Sequence, residues 1–142
     1  MILPDINLLL YAYNEALPQH AAARAWWKNL MTNERAVAIP WAVSFGFIRL
    51  ATHPALFRDP LPPLEALERV QGWLTRPHVH ILEPGGRHLS IVESLFSATG
   101  VAGSLTTDTH LAALAIEHQC ELHSNDGDFG RFPGLRWRNP IE

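Results

Sequence analysis

Four short apolar runs punctuate the chain: MILP at residues 1–4, AVAIP at 36–40, HVHILEP at 78–84 and CELHSN at 120–125. Segments with helical spacing separate them. Short runs rich in Val, Ile and Leu suit strands that are covered on both faces. Strands that alternate with helices build parallel βαβ units, so the pattern predicts an α/β fold around a mainly parallel sheet of four or five strands. LRWRNP at 135–140 supplies the possible fifth strand. The chain has 142 residues, 47% of them hydrophobic and 18% charged, enough to bury one proper core. We take residues 1–142 as a single domain.

The helical segments carry their own expectations. INLLLYAYNE (6–15) continues directly from the first strand. In QHAAARAWWKNL (19–30) the spacing puts Ala22, Trp26 and Leu30 on one face, and in LEALERVQGWLTR (64–76) it aligns Leu64, Leu67, Val70 and Leu74. WAVSFGFIRLAT (41–52) has the length of a helix but holds Gly46 inside it, at a cost of about 1 kcal/mol relative to Ala. GGRHLSIVESLFSATG (85–100) is bracketed by glycines, and THLAALAIEHQ (109–119) is an apolar helix opened by Asp108. THPALFRDPLPP (52–63) has four prolines and reads as an irregular connection in which Asp59 serves a turn.

Composition excludes several classes. The N-terminal apolar stretch is interrupted by Asp5 and Asn7 and is too short to span a bilayer. The one cysteine, Cys120, cannot form an internal disulfide and reads as a buried thiol, which points to the cytoplasm. A net charge of −3 announces no nucleic-acid binder. The basic residues are ten Arg and one Lys, Lys28, so lysine-dependent chemistry has a single candidate. A phosphoryl-accepting domain would need a lysine at a late strand end, and Lys28 lies in an early helix.

The acids are more informative. Nine are Glu and five are Asp, and the five are Asp5, Asp59, Asp108, Asp126 and Asp128. Asp5 follows the first strand, Asp126 follows the fourth with Asp128 two residues on, and Asp108 opens a buried helix. Parallel sheets place their sites at the carboxyl ends of strands, so four of the five could share one rim. Carboxylates gathered there would repel one another and hold their protons unless a cation neutralised them. Their hard oxygens suit Mg²⁺ or Mn²⁺. Such an ion orients a phosphodiester, acidifies a bound water and stabilises charge on the leaving oxygen.

Plainer roles compete at each position. Asp108 and Asp5 have the character of helix N-caps. Asp-Gly at 126–127 is a hairpin signal, although DFGRFPG downstream lacks strand alternation. A calcium loop fails, because its Gly and Glu positions are Arg131 and Trp137. His78 and His80 are explained by strand surface, and His110 by a solvated helix start. Trp26 and Trp27 could stack on RNA bases but more readily pack. Arg131, Arg136 and Arg138 form the best local cluster for phosphate.

DINLLLYA, IPWAVSFGFIRLATHP and TDTHLAALAIEHQCELHSNDGDFGRFPGLRWRNP together resemble the PIN-domain ribonucleases, and more narrowly the VapC-type toxins of bacterial toxin–antitoxin pairs. The resemblance runs over essentially the whole chain. It implies a three-layer α/β/α sandwich and a Mg²⁺- or Mn²⁺-dependent endoribonuclease, active on RNA, with a VapB-type antitoxin as partner and a homodimer as its common state. By position it implies Asp5, Asp108 and Asp126 as metal ligands and Asp128 as a fourth catalytic acid, which either joins the shell or caps the following turn; beside it, Asn7, Arg131, Arg136 and Arg138 are the candidate RNA contacts. Many members carry a Glu where this chain has Gly46, which leaves fewer ligands and puts a two-ion site in question. A catalytically weakened module that binds antitoxin or RNA is the alternative.

Overall fold

The computed structural model describes residues 1–33 and 35–142. In chain order the elements are β1 (Ile2–Pro4), α1 (Ile6–Tyr13), α2 (His20–Thr32), β2 (Val37–Ala38), α3 (Trp41–Ala51), α4 (Pro63–Leu74), β3 (Val79–His80), α5 (His88–Thr99), α6 (Thr106–Glu117), β4 (Glu121–His123) and β5 (Arg136–Arg138). The strands form one sheet in the order β3-β2-β1-β4-β5, every neighbouring pair parallel. From β1 to β3 the chain steps in one direction across the sheet, and from β3 through β4 to β5 it steps back past its start. Because such crossovers are right-handed, α1–α4 cover one face and α5–α6 the other. The result is the three-layer α/β/α fold that the strand pattern implied, with five strands.

Strands are shorter than their apolar runs: β2 and β3 have two paired residues each. Two helix faces also differ from the simple spacing. The buried face of α2 is Ala23, Trp27, Leu30 and Met31, with Ala22 exposed and Trp26 half-buried. In α4 it is Ala66, Val70 and Trp73, while Leu64 and Leu67 are exposed. Trp27 and Trp73 decide both rotations. Their rings meet edge to face at 5.2 Å, and Trp73 packs on Phe47 of α3 at 4.7 Å. Tyr13 of α1 closes the cluster against Phe47 at 5.2 Å, its hydroxyl accepting a 3.1 Å bond from Trp73 Nε1. Indoles bury more apolar area than leucines, so each helix turns its tryptophan inward.

Gly46 has a packing reason. A Cβ built there falls on Ile6 Cδ1, so the bare backbone lets α3 press against the first turn of α1. That contact fixes the helix immediately after Asp5. Cys120 is buried, as its composition suggested, and burial pushes its thiol pKa up. Among the described residues no helix is long and apolar enough to cross a membrane.

Trp73 is only 4% exposed and joins four elements. Trp73→Ala is therefore expected to destabilise the fold by about 3–5 kcal/mol. Urea unfolding followed by circular dichroism measures it, and a loss below about 1 kcal/mol would show that α4 is not anchored by this ring.

Candidate active site

β1 and β4 lie side by side, with Pro4 opposite His123. The chain leaves β1 toward the α1 face and leaves β4 toward the other, which opens a crevice at the carboxyl ends of these two strands. Asp5 stands at its edge. Its N–H donates to the His123 carbonyl at 2.8 Å, prolonging the ladder by one residue. Its backbone is extended (φ −81°, ψ 155°), as an N-cap requires, and Oδ1 accepts the Ile6 N–H at 2.8 Å. The capping expectation holds, and the second oxygen remains for other work.

That second oxygen, Oδ2, accepts a 2.8 Å bond from Ser124 Oγ. Ser124 is fully buried, and its hydroxyl also accepts the Asp126 N–H at 3.0 Å and the Asn7 Nδ2–H at 3.4 Å. One hydroxyl thus ties together Asp5, Asn7 and Asp126. Reasoning that weighed only acids and bases passed it over. The available signal was a serine at a strand end two residues before Asp126, the spacing of a side-chain turn.

Asp126 is half-buried and caps the 3₁₀ turn Gly127–Arg131, its Oδ1 accepting the Asp128 N–H at 2.9 Å. Asp128 lies exposed in the first turn. Gly127 is not in the left-handed region, and a Cβ there would meet nothing. The cap, rather than glycine's freedom, shapes this turn, so Asp128 points to the rim while Asp126 stays within.

Asp108 departs from its expected capping role. α6 begins at Thr106 and Leu105 holds the cap position without a side-chain bond, so Asp108 lies inside the first turn. Its carboxyl is half-buried. Burial, then repulsion from Asp5, Asp126 and Asp128, pushes its pKa up to about 6. Burial likewise raises that of Asp5, against the lowering bonds from Ser124 and Ile6, and Asp126 adds repulsion. The four predicted acids therefore share one electrostatic neighbourhood. Among the described residues, no three His, Cys, Asp or Glu side chains are yet grouped tightly enough to form a ready coordination shell. Asn7 Oδ1, beside the same hydroxyl, is buried without a partner.

The arginines separate. Arg138 pairs in register with His123 at the carboxyl end of β5, its carbonyl accepting the Ser124 N–H, and its side chain is exposed at the rim. Arg131 is exposed at the end of the 3₁₀ turn. Arg136 sits opposite Glu121 at the other end of the strand, where its guanidinium donates to the Gln119 carbonyl. The structure does not bring it to the crevice. His110 faces His88, with 2.9 Å between ring nitrogens, and burial and that neighbour lower its pKa. His78 is bound to the Leu30 carbonyl at 2.7 Å.

Comparison with known proteins identifies the family. The PIN domain family matches residues 2–135. Ribonuclease VapC33 of Mycobacterium tuberculosis is 44% identical over 141 residues, covering 99% of both chains. Ribonuclease VapC37 of the same organism is 38% identical over 140 residues, covering 99% of this chain and 97% of its own. Among solved structures, VapBC2 from Rickettsia felis, bound to a DNA fragment from its promoter, superposes with a TM-score of 0.70 at 19% identity, covering 98% of each chain. VapC20 of Mycobacterium tuberculosis, a sarcin-ricin loop cleaving toxin, superposes at 0.68 and 16% identity, covering 96% of this chain and 99% of its own. At these identities the superpositions speak for the fold. The family match over residues 2–135 and the full-length similarity lead to one assignment: the chain belongs to the PIN-domain family and, within it, to the VapC ribonucleases.

Proposed function

We propose that residues 1–142 act as one cytoplasmic nuclease domain, the toxin of a toxin–antitoxin pair, which hydrolyses RNA phosphodiester bonds with Mg²⁺ or Mn²⁺ held by Asp5, Asp108 and Asp126. The observation that carries this reading is the neighbourhood of Asp108, where burial and three other aspartates disfavour the ionised acid. A divalent cation relieves that repulsion, and every donor is a hard oxygen. When bound, the ion would supply Lewis-acid stabilisation and a more acidic water. The chain's part is to hold Asp5 through Ser124 and Ile6, to keep Asp126 turned inward by its own cap, and to close the carboxylates on the ion. Asp128 stands at the rim as the fourth acid. Arg138 and Arg131 would meet the RNA by phosphate contacts that weaken with salt, while Asn7, whose Oδ1 is buried, would brace the Ser124 hydroxyl from within the crevice. Arg136 takes no part in this arrangement.

Gly46 favours a second reading, a module that binds antitoxin or RNA without cleavage, since α3 contributes no carboxylate. Asp5→Asn and Asp108→Asn separate the two. Cleavage of total RNA with Mn²⁺ is expected to fall by on the order of 10²-fold or more in either variant while the far-UV circular dichroism stays that of the folded chain. Cleavage equal to that of the unmodified chain would refute the metal-site assignment.

The acid neighbourhood also has a pH signature. A carboxyl whose pKa is raised on folding favours the native state below its ordinary pKa of 3.8 and loses that advantage as pH climbs through about 6. Metal-free protein is therefore expected to lose melting temperature between pH 4 and pH 7, beyond what Asp108→Asn shows. Added Mn²⁺ should raise the melting temperature more at pH 7 than at pH 5. A metal-induced rise independent of pH would contradict the assignment of Asp108.

Two surfaces suit the partners. A cleft of about 660 Å³ between α1, α2 and α4 has Trp27 and Trp73 on its floor and Arg24, Lys28, Arg69 and Arg76 around it. An apolar segment with acidic flanks complements it, and we assign this cleft to the antitoxin. On α3 the exposed Trp41 and Phe45 touch each other at 6.2 Å and offer an apolar patch to a second copy. In gel filtration, Phe45→Glu is expected to turn a dimer into a monomer, and Arg24→Glu with Arg69→Glu to lose co-expressed VapB-type antitoxin. Unchanged elution of either variant would reject the surface it alters.

A further inference from the structure

We propose that Trp26, His123 and Glu121 form a positioning relay that sets the carboxyl end of β4 and, through it, the Ser124–Asp5–Asp126 hydrogen-bond set. The proposal rests on the nuclease reading above and concerns residues that the acid rim does not include. His123 is 4% exposed, and both ring nitrogens are engaged. Trp26 Nε1 lies 3.0 Å from Nδ1, and an indole N–H can only donate. Nδ1 is therefore the acceptor and Nε2 carries the proton, which it donates to Glu121 Oε1 at 2.7 Å. Only the neutral Nε2–H tautomer satisfies all three groups.

What this relay holds is the backbone at the crevice. The carbonyl of His123 accepts the Asp5 N–H, and the next residue is Ser124, whose hydroxyl serves Asp5, Asn7 and Asp126. An apolar side chain at 123 would fill the space under α2 without any polar group to satisfy. A buried imidazole is worth its desolvation only where its partners fix a geometry. Trp26 ties that geometry to α2, and its ring rests on Trp27 at 5.6 Å and on the His123 ring at 6.0 Å. Burial keeps the imidazole neutral, while the bond from His123 holds the Glu121 carboxyl below its usual range. Rotation of the His123 side chain would be felt one residue away, at the hydroxyl that bonds the Asp5 carboxylate.

Trp26→Phe tests the relay by keeping ring packing and removing the N–H. In the ¹⁵N spectrum of the full-length, metal-free chain, His123 should keep its Nε2–H tautomer, which Glu121 still accepts, while the Nδ1 resonance shifts on losing its donor. RNA cleavage should lose 10- to 100-fold in kcat with KM unchanged, and Mn²⁺ binding followed by calorimetry should weaken within the same range. His123→Gln, which offers an acceptor and a donor, should retain more Mn²⁺ affinity and activity than His123→Leu, and this pair decides if Trp26→Phe does not fold. An unshifted Nδ1 resonance and unaltered Mn²⁺ affinity in Trp26→Phe, or equal losses in His123→Gln and His123→Leu, would overturn the proposal. If the unmodified chain cleaves no RNA, the nuclease reading fails, and the Nδ1 and Mn²⁺ measurements still decide the relay.

Discussion

The site depends on the carboxyl ends of β1 and β4 lying side by side. That adjacency joins residues more than a hundred positions apart, and two hydrogen bonds convert it into a fixed geometry: Asp5 N–H to the His123 carbonyl and Ser124 Oγ to Asp5 Oδ2, both 2.8 Å. A carboxylate 7% exposed would be costly without such partners. With Ser124 Oγ and Ile6 N–H as its two donors, the Asp5 carboxylate is buried and satisfied, yet still repelled by its neighbours. The crevice is thus built to place negative charge where the fold alone does not neutralise it.

Packing on the α1–α4 side makes this placement rigid. Trp73 joins α4 to Tyr13, Phe47 and Trp27, so one indole holds four helices. Gly46 brings α3 onto Ile6, the residue after Asp5, and leaves that side of the crevice without an acid. The same glycine therefore has a packing consequence and a chemical one. On the opposite face, α6 brings Asp108 to the rim within its first turn, where its peptide dipoles favour a carboxylate that burial and the other acids oppose.

Much of the fold was legible because strands buried on both faces leave dense apolar runs, and because the helices between them dictate parallel pairing. Helix rotation was not. Spacing placed Trp26 and Leu64 inward, whereas the edge-to-face packing of Trp27 on Trp73 turned both helices. The four aspartates were legible as a group through their positions at element ends. Ser124 was not, since a serine in a polar loop carries no distinctive pattern until its hydroxyl is found beside Asp5. Arg131, Arg136 and Arg138 read as one cluster in the chain, but alternation along β5 and register with β4 put Arg136 at the far end.

The sequence by itself determined the fold class and which acids stand at the ends of its elements, because these follow from local periodicity and from turn residues, while the fifth strand was settled by its pairing with β4. Only the tertiary structure decided that Asp126 turns inward while Asp128 stays at the rim, that Asp108 is no helix cap, and that one buried hydroxyl joins Asp5 to Asp126. Those outcomes depend on strand order and on the contact of distant side chains. In DGDF the hairpin signal of Asp-Gly gives way to a 3₁₀ turn capped by Asp126, which β4 carries to the edge of the crevice.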